Sequence, residues 1–232
     1  MKRIGIVGGL SPESTMLYYK TIIVEYRKRT GDENYPDIII YSVNFGVFTE
    51  FVGRNDRASA VKLLLDALDA LKRAGADFAI ISANTPHMFI DELEKRSSLP
   101  ILSIIDALAE ELTRDNVKTI GLLGTRYTMK AGFYKSKLQG YGIRVVIPDE
   151  EGIDIINSII YDELVKGVIR KESKDAIIRI IQQPIAKGAD GVALACTELP
   201  LLIPETTIDG VKVYDTARIH AIKALEKALM PA

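Results

Sequence analysis

The 232-residue chain has only one cysteine, Cys196, and only two histidines, His87 and His220. One thiol cannot form a disulfide framework within the chain, and these three side chains are too few to build a cysteine- or histidine-rich metal site. The thiol of Cys196 is therefore either a small buried side chain or a chemical group. We predict no structural disulfide and no metal.

The chain also lacks an excess of charge of one sign and lacks long apolar runs. Its 30 lysines and arginines balance 31 aspartates and glutamates and are dispersed, so we predict no nucleic-acid partner. The longest apolar stretches, such as residues 38–41, are far too short to cross a bilayer, and the N-terminus runs directly into a strand pattern. We therefore expect an ordinary soluble globular protein, without a membrane partner, that stays in the cytoplasm.

Short apolar runs alternate along the chain with longer amphipathic segments. In residues 57–74, five apolar residues recur at helical spacing with charged residues between them, which predicts a helix with one buried face: Val61, Leu64, Leu65, Leu68 and Leu71. The short apolar runs predict strands at 4–7, 37–42, 78–82, 100–103, 119–123, 144–147 and 191–195. This alternation predicts an α/β fold with mostly parallel sheets flanked by helices.

A gapless internal repeat relates residues 75–86 to residues 188–199, because both begin with Gly-Ala-Asp and continue through an apolar run to a polar corner. A weaker echo relates residues 5–9 to residues 121–125. The chain is thus predicted to be a diverged duplication with two pseudo-symmetric α/β halves. We place the first half at residues 1–103 plus 210–232 and the second at residues 104–209.

The repeat makes Ala83 and Cys196 equivalent, since each stands eight residues after the first glycine of its segment. Ligands of parallel sheets lie at the carboxyl ends of the strands. We therefore expect an active-site cleft between the two halves, with Ala83 and Cys196 on opposite walls.

Several separated motifs resemble those of the aspartate/glutamate racemase family, and the likeness covers nearly the whole chain. They are Gly8-Gly9-Leu10-Ser11-Pro12-Glu13-Ser14-Thr15, Asn84-Thr85-Pro86-His87, Gly124-Thr125-Arg126-Tyr127-Thr128-Met129, Cys196-Thr197-Glu198 and Asp215-Thr216-Ala217-Arg218-Ile219-His220. The resemblance implies racemisation of aspartate or glutamate without pyridoxal phosphate or another cofactor, usually in a homodimer. It leaves the preference between the two amino acids open.

The resemblance also implies two acid/base groups that act on opposite faces of the substrate's α-carbon. In most of the family both are cysteines, at the positions that match Ala83 and Cys196, and one branch has threonine at the first. Alanine stands there in this chain. A methyl group cannot transfer a proton, so either a neighbouring group substitutes or the alanine is an inactivating change.

Polar residues at the predicted strand ends are candidates for binding the substrate. Hydroxyl, amide and backbone donors of Asn84, Thr85 and Thr197 can hold an α-carboxylate, although helix capping explains them equally well. Weaker candidates of the same kind are Ser11, Thr125 and Thr128. We expect the helix that follows Cys196 to favour its thiolate.

Charged and titratable residues near these corners add further hypotheses. Glu198 either poises Cys196 and positions an ammonium group or complements the helix dipole. His87 is a candidate general acid or a simple capping group, and His220 is interpreted as structural. The family binds the distal carboxylate with a lysine before a glycine, which Lys166 resembles with a shift of one residue. Arginines that could serve instead are Arg54, Arg57 and Arg126.

Other functions fit less well. Dinucleotide binding would need a G-x-G-x-x-G spacing and an acidic end to the second strand, where Tyr41 and Ser42 stand instead. A single-thiol decarboxylase or isomerase of the same superfamily is favoured by Ala83, and an amino-acid binding protein is compatible with two halves around a cleft. Proton exchange at the α-carbon separates these alternatives.

Overall fold

The computed structural model describes residues 1–231 of the chain, which divide into two compact units. The first unit is Met1–Ile104 together with the chain from His220 onward, and the second is Ile105–Ile219. Strands and helices alternate in both units, and the mixed α/β architecture predicted from the sequence is confirmed. No helix within residues 1–231 combines the length and apolar character needed to span a membrane.

The first unit is built on a small parallel sheet. Its strands are β1 (Ile4–Gly8), β2 (Ile38–Ser42) and β3 (Phe78–Ile81), and its first helices are α1 (Pro12–Thr30), α2 (Phe45–Gly53), α3 (Arg57–Arg73) and α4 (Ile90–Arg96). The strand order is β2-β1-β3, with Ile4 opposite both Ile38 and Phe78. Strands β1 and β3 are wholly buried, as their continuous apolar runs predict.

Helix α3 supplies the main apolar face against this sheet. It buries Val61, Leu64, Leu68 and Leu71, four of the five residues whose spacing predicts the helix, while Leu65 is only half-buried at the edge of the same core. They join Val7 and Ile81 in one hydrophobic core, and fully burying each such side chain stabilises the fold by about 1.5–3 kcal/mol. Asp56 caps the start of the helix by accepting a hydrogen bond from the Ser59 N–H at 3.0 Å.

The second unit is built on a larger, mixed sheet. Its strands are β4 (Thr119–Gly124), β5 (Arg144–Val146), β6 (Gly191–Ala195), β7 (Thr207–Ile208) and β8 (Val211–Asp215). Its helices include α5 (Ile104–Arg114), α6 (Arg126–Lys130), α7 (Phe133–Gln139), α8 (Glu150–Ser158), α9 (Lys171–Ala186) and α10 (Leu199–Leu202), and α11 (Thr216–Leu229) continues into the first unit. The order is β5-β4-β6-β8-β7, and only β7 is antiparallel.

Two parts of the chain differ from the predicted secondary structure. Residues 100–103 form no strand but one isolated bridge, Ala79 to Ile101, because Pro100 has no N–H and α5 begins at Ile104. Strands β7 and β8 lie outside the predicted strands, and β8 pairs with β6 in the second sheet although the predicted boundary at residue 210 assigns it to the first half. The predicted boundaries are otherwise not tested and stay a prediction.

Candidate active site

The first polar corner follows β1 in the first unit. Gly9 turns the chain with φ 81°, and a Cβ there would lie 2.2 Å from the Val43 carbonyl oxygen, so no other residue fits. Ser11 then caps α1, accepting a hydrogen bond from the Ser14 N–H at 3.3 Å. The Ser14 hydroxyl donates to the Ser82 carbonyl oxygen, which fixes the start of α1 against the end of β3.

The second corner of this unit follows β3 and carries Ala83, Asn84 and Thr85. Ala83 and Asn84 are buried, and Asn84 precedes a short 3₁₀ turn, Thr85–Phe89. Because β1 and β3 are parallel neighbours, this corner and the Ser11 corner lie at the same edge of the sheet. The structure thus brings Ser11, Ala83 and Asn84 together within the first unit.

His87 is fully buried directly behind the Ala83 corner. Its Nδ1 lies 2.9 Å from the Ala83 carbonyl oxygen, and its Nε2 accepts a hydrogen bond from the Ile104 N–H at 3.1 Å. The His220 ring packs edge to face against it, with centroids 6.0 Å apart. Both nitrogens of His87 are occupied by backbone groups, which argues against a role as general acid.

In the second unit, the corner after β4 carries Thr125 and Thr128. Thr125 caps α6 by accepting a hydrogen bond from the Thr128 N–H at 3.2 Å, and the two hydroxyl oxygens lie 3.1 Å apart. A Cβ on Gly124 would lie 2.6 Å from the Ala195 carbonyl oxygen. Glycine therefore allows the ends of β4 and β6 to approach closely, which places the two threonines next to the Cys196 corner.

Cys196 follows β6 directly, and its thiol donates a hydrogen bond to Glu198 Oε2 at 3.1 Å. The Thr197 hydroxyl donates to the same oxygen at 2.7 Å. All three residues are buried. The corner therefore holds a thiol, a hydroxyl and a carboxylate in one hydrogen-bonded group.

The electrostatics of this corner keep the thiol protonated. Burial raises the pKa of Cys196 well above its ordinary value, and the Glu198 charge raises it further, while the backbone N–H groups of Glu198 and Leu199 lower it. The expectation that the following helix favours the thiolate is wrong for this arrangement. Helix α10 has only four residues, and two N–H groups do not offset burial next to a carboxylate.

The basic residues proposed for the distal carboxylate are all engaged with acidic neighbours, and all are exposed except Arg126, which is half-buried. Lys166 Nζ lies 3.8 Å from Asp162, on the turn 164–166, which packs against α10 just after the Cys196 corner. Arg54 pairs with Glu50 at 2.8 Å, Arg57 with Glu92 at 3.0 Å, and Arg126 with Asp154. Of these, Lys166 has the longest ion pair.

Tyr161 is a further polar side chain near the Cys196 corner that no sequence motif indicates. It lies on a π-helical turn, Ile159–Glu163, between α8 and the turn 164–166, and is partly exposed. Burial raises the pKa of its phenol, and the neighbouring Glu198 carboxylate adds to that effect, so the phenol stays neutral. A π-helical turn interrupts helices often at functional positions, but the apolar pattern of 159–164 gives no signal for it.

Taken separately, each unit presents a sheet edge with paired strand-to-helix corners. The first offers Ser11, Asn84 and Thr85 as hydrogen-bonding groups around a methyl group at Ala83. The second offers Thr125, Thr128 and Thr197 around the protonated thiol of Cys196. No three histidine, cysteine, aspartate or glutamate side chains among residues 1–231 are grouped to hold a metal ion.

Two solved structures resemble the chain over nearly its whole length. A Yersinia pestis protein assigned as an Asp/Glu racemase is 39% identical, with a TM-score of 0.92 over 99% of this chain and 100% of that one. An aspartate racemase homologue from Pyrococcus horikoshii OT3 is 41% identical, with a TM-score of 0.85 and the same coverage. Both identities are high enough to indicate common descent as well as a common fold.

A curated relative agrees with these structures. The broad specificity amino-acid racemase RacX of Bacillus subtilis (strain 168) is 27% identical over 199 residues, which cover 84% of this chain and 85% of RacX. The family model of the Asp/Glu/Hydantoin racemases matches residues 7–224. This match includes every corner described above, and the chain belongs to the Asp/Glu/Hydantoin racemase family.

Proposed function

We propose that the chain transfers the α-proton of an acidic amino acid, aspartate or glutamate, without a cofactor, and that Cys196 is the acid/base group. The single observation that carries this proposal is the hydrogen-bonded group of Cys196, Thr197 and Glu198. A thiol with a carboxylate 3.1 Å away can lose its proton to that carboxylate and regain it, so it can serve in turn as base and acid.

The reaction has two stages, in which the α-proton is removed from the substrate and a proton is then returned to the α-carbon. Glu198 takes the thiol proton as the substrate's α-proton moves to the Cys196 sulfur, and the electron pair of the broken C–H bond is delocalised into the α-carboxylate as an enolate. Return of a proton to the α-carbon restores the amino acid. Return from the same side gives exchange without inversion, and return from the other side gives the opposite enantiomer.

Hydrogen-bond donors support the enolate that this reaction needs. Hydroxyl and backbone N–H groups at the strand-to-helix corners are suited to hold a carboxylate and to stabilise its growing charge. They belong to Ser11, Asn84, Thr85, Thr125, Thr128 and Thr197. Lys166 is our candidate for the distal carboxylate, because its 3.8 Å ion pair with exposed Asp162 is weak and easily exchanged.

Ala83 provides no second acid/base group for the proposed reaction. Its methyl group cannot give or take a proton, so Cys196 acting alone exchanges protons on one face and does not invert the α-carbon. This favours slow racemisation in the chain as it stands. It also favours one alternative, a single-thiol decarboxylase or isomerase, in which one proton donor is sufficient.

Proton exchange in deuterated water tests the proposal. Each enantiomer of aspartate and glutamate is incubated with the protein, and loss of the α-proton is followed by NMR while optical rotation reports inversion. We expect exchange on one enantiomer, with inversion much slower, and we expect Cys196→Ala to abolish exchange without unfolding the protein. Exchange that persists in Cys196→Ala removes the thiol from the mechanism.

The remaining parts of the proposal concern the protein's state in the cell. We propose a homodimer that acts in the cytoplasm on a free amino acid. Light scattering after size-exclusion chromatography measures the mass in solution, and a mass of one chain at assay concentrations contradicts the dimer.

A further inference from the structure

The mechanism leaves His87 without a role, although it is a fully buried titratable side chain directly behind the Ala83 corner. Its ring joins two backbone groups that are far apart in sequence. Nδ1 lies 2.9 Å from the Ala83 carbonyl oxygen, and Nε2 lies 3.1 Å from the backbone nitrogen of Ile104, the first residue of α5. A buried histidine with both nitrogens engaged by backbone has a fixed position and a fixed tautomer.

The two partners determine which nitrogen carries the proton. A backbone N–H only donates, so Nε2 of His87 accepts from Ile104 and is unprotonated. Nδ1 therefore carries the hydrogen and donates it to the Ala83 carbonyl oxygen, which only accepts. The imidazole is neutral in this arrangement, because a second ring proton would face the Ile104 N–H.

This hydrogen bond orients the peptide between Ala83 and Asn84. In a planar trans peptide the C=O and the N–H point in opposite directions. With the Ala83 carbonyl held towards the imidazole, the Asn84 N–H points away from His87, and the Asn84 backbone enters the 3₁₀ turn with φ −78° and ψ −49°. The ring therefore sets the direction of a donor at the strand end.

A second histidine holds the ring in place. His220 is fully buried and packs edge to face on His87, with an interplanar angle of 77°. Its Nε2 donates to the Leu102 carbonyl oxygen at 2.8 Å, so its Nδ1 accepts from the Tyr18 hydroxyl at 2.9 Å. The two histidines carry opposite tautomers, and each is fixed by a backbone carbonyl.

We propose that His87 is a positioning residue for the proposed reaction: by donating from Nδ1 to the Ala83 carbonyl, it aims the Ala83–Asn84 peptide so that the Asn84 N–H serves the substrate's carboxylate. This inference rests on the proposed function for its substrate class. The competing role is purely structural, in which the ring only caps the start of α5 through Nε2.

Two substitutions separate these roles, because each keeps one half of the ring's bonding. In His87→Asn the side-chain N–H replaces Nδ1–H and can still donate to Ala83, but it cannot reach Ile104. In His87→Gln the side-chain oxygen replaces Nε2 and can still accept from Ile104, but the bond to Ala83 is lost. Tyr18→Phe is the matched control, since it removes a buried hydroxyl from the same network without touching the corner.

Affinity is measured as the dissociation constant of L-aspartate and L-glutamate by calorimetry, and the melting temperature is measured in parallel. We expect both His87 variants to melt lower than the parent. We expect His87→Gln to weaken amino-acid binding by about tenfold or more, as loss of an aimed donor to a carboxylate does, and His87→Asn by about threefold or less. Tyr18→Phe should lower only the melting temperature.

The opposite order, with affinity kept in His87→Gln and lost in His87→Asn, shows that the ring only caps α5 and overturns the inference. The inference is also overturned if the loss of amino-acid affinity in the three variants is simply proportional to the fall in their melting temperatures. If the variants do not fold, the tautomer of the parent decides, because ¹⁵N NMR that places the proton on Nε2 of His87 contradicts the proposal. Binding without α-proton exchange counts against the proposed function and leaves the inference standing.

Discussion

The Sγ atom of Cys196 lies 3.1 Å from Oε2 of Glu198, and the thiol donates its hydrogen to that oxygen. Burial and this carboxylate together raise the pKa of the thiol, so the free protein holds Cys196 as an acid rather than as a thiolate. The first chemical event in the proposed reaction is therefore removal of the thiol proton, and Glu198 is the group placed to take it.

Replacing Glu198 with glutamine should activate the thiol towards simple reagents. Glu198→Gln removes the negative charge, so the pKa of Cys196 falls and alkylation by iodoacetamide at pH 8 becomes severalfold faster, while α-proton exchange becomes slower because the proton acceptor is lost. Mass spectrometry reads the reaction cleanly because Cys196 is the chain's one cysteine. Glu151→Gln, which neutralises an exposed glutamate, is the control. Slower alkylation in Glu198→Gln than in the control contradicts the role given to the charge.

Restoring a proton-transfer group at Ala83 should increase racemisation. Ala83→Thr and Ala83→Cys supply a hydroxyl or a thiol, and a positioned acid or base contributes about 10² to 10⁴ in rate. Ala83→Val is the matched control, because it has the shape of threonine without the hydroxyl. Rates of inversion are followed by optical rotation. Equal rates in the valine and threonine forms would mean that another group is the second acid, and no inversion in any form favours the single-thiol alternative.

Adding a methyl group at Gly124 should disturb the thiol corner. The new Cβ would lie 2.6 Å from the Ala195 carbonyl oxygen, immediately before Cys196, so the ends of β4 and β6 must separate. We expect Gly124→Ala to cost about 1–3 kcal/mol in free energy of unfolding, measured in urea, and to reduce exchange. Gly53→Ala, which has no atom within 4 Å of the new Cβ, should be neutral or stabilising. A Gly124→Ala protein as active and stable as the parent contradicts the close approach.

Stability should fall as the pH is lowered below neutrality, because His220 stays neutral in the folded protein. Burial above all, together with the neighbouring His87, lowers its pKa to about 3, whereas the unfolded chain protonates this ring at about 6.5. The unfolded state thus binds the extra proton first, and folding loses up to about 1.4 kcal/mol per pH unit between those two values.

Urea unfolding at pH 7 and pH 5 measures this loss. His220→Gln cannot titrate, so its free energy of unfolding should change less between the two pH values than that of the parent. The comparison also cancels the effect of the partly buried Asp215 carboxyl, whose pKa is raised by desolvation and which both proteins share. As a second check, NMR should find the His220 ring uncharged at pH 5, and a charged ring at that pH contradicts the prediction.

The parts of the fold that the sequence predicts are those with strong local patterns. The buried runs at β1, β3 and β6 are continuous and apolar, and the spacing of Leu64, Leu68 and Leu71 fits one helix face. Strand β8 alternates only over five residues and is stabilised by pairing with β6, which no local pattern reveals. The π-helical turn at 159–163 depends on tertiary packing in the same way.

In the candidate site, too, only the features with a local sequence pattern could be predicted. Ser11 and Thr125 are recognisable as helix caps because the capping residue and its partner are three positions apart. The raised pKa of Cys196 could not be predicted from the sequence, because it depends on the burial of the thiol and on the direction of the Glu198 side chain. His87 bonds to Ala83, which is only four residues away, and to Ile104, which is 17 residues away. The second contact depends on the tertiary fold, so the local sequence does not predict it.

The protonated state of Cys196 also determines how fast oxidants react with its sulfur. Peroxide attacks thiolates and hardly attacks thiols, so a cysteine that is buried beside a carboxylate oxidises slowly to sulfenic acid. The same two features that make the thiol a proton donor therefore protect it in the absence of substrate. The chain has no second cysteine that could form a disulfide with an oxidised sulfur, so in the proposed reaction this slow oxidation would preserve the group between turnovers.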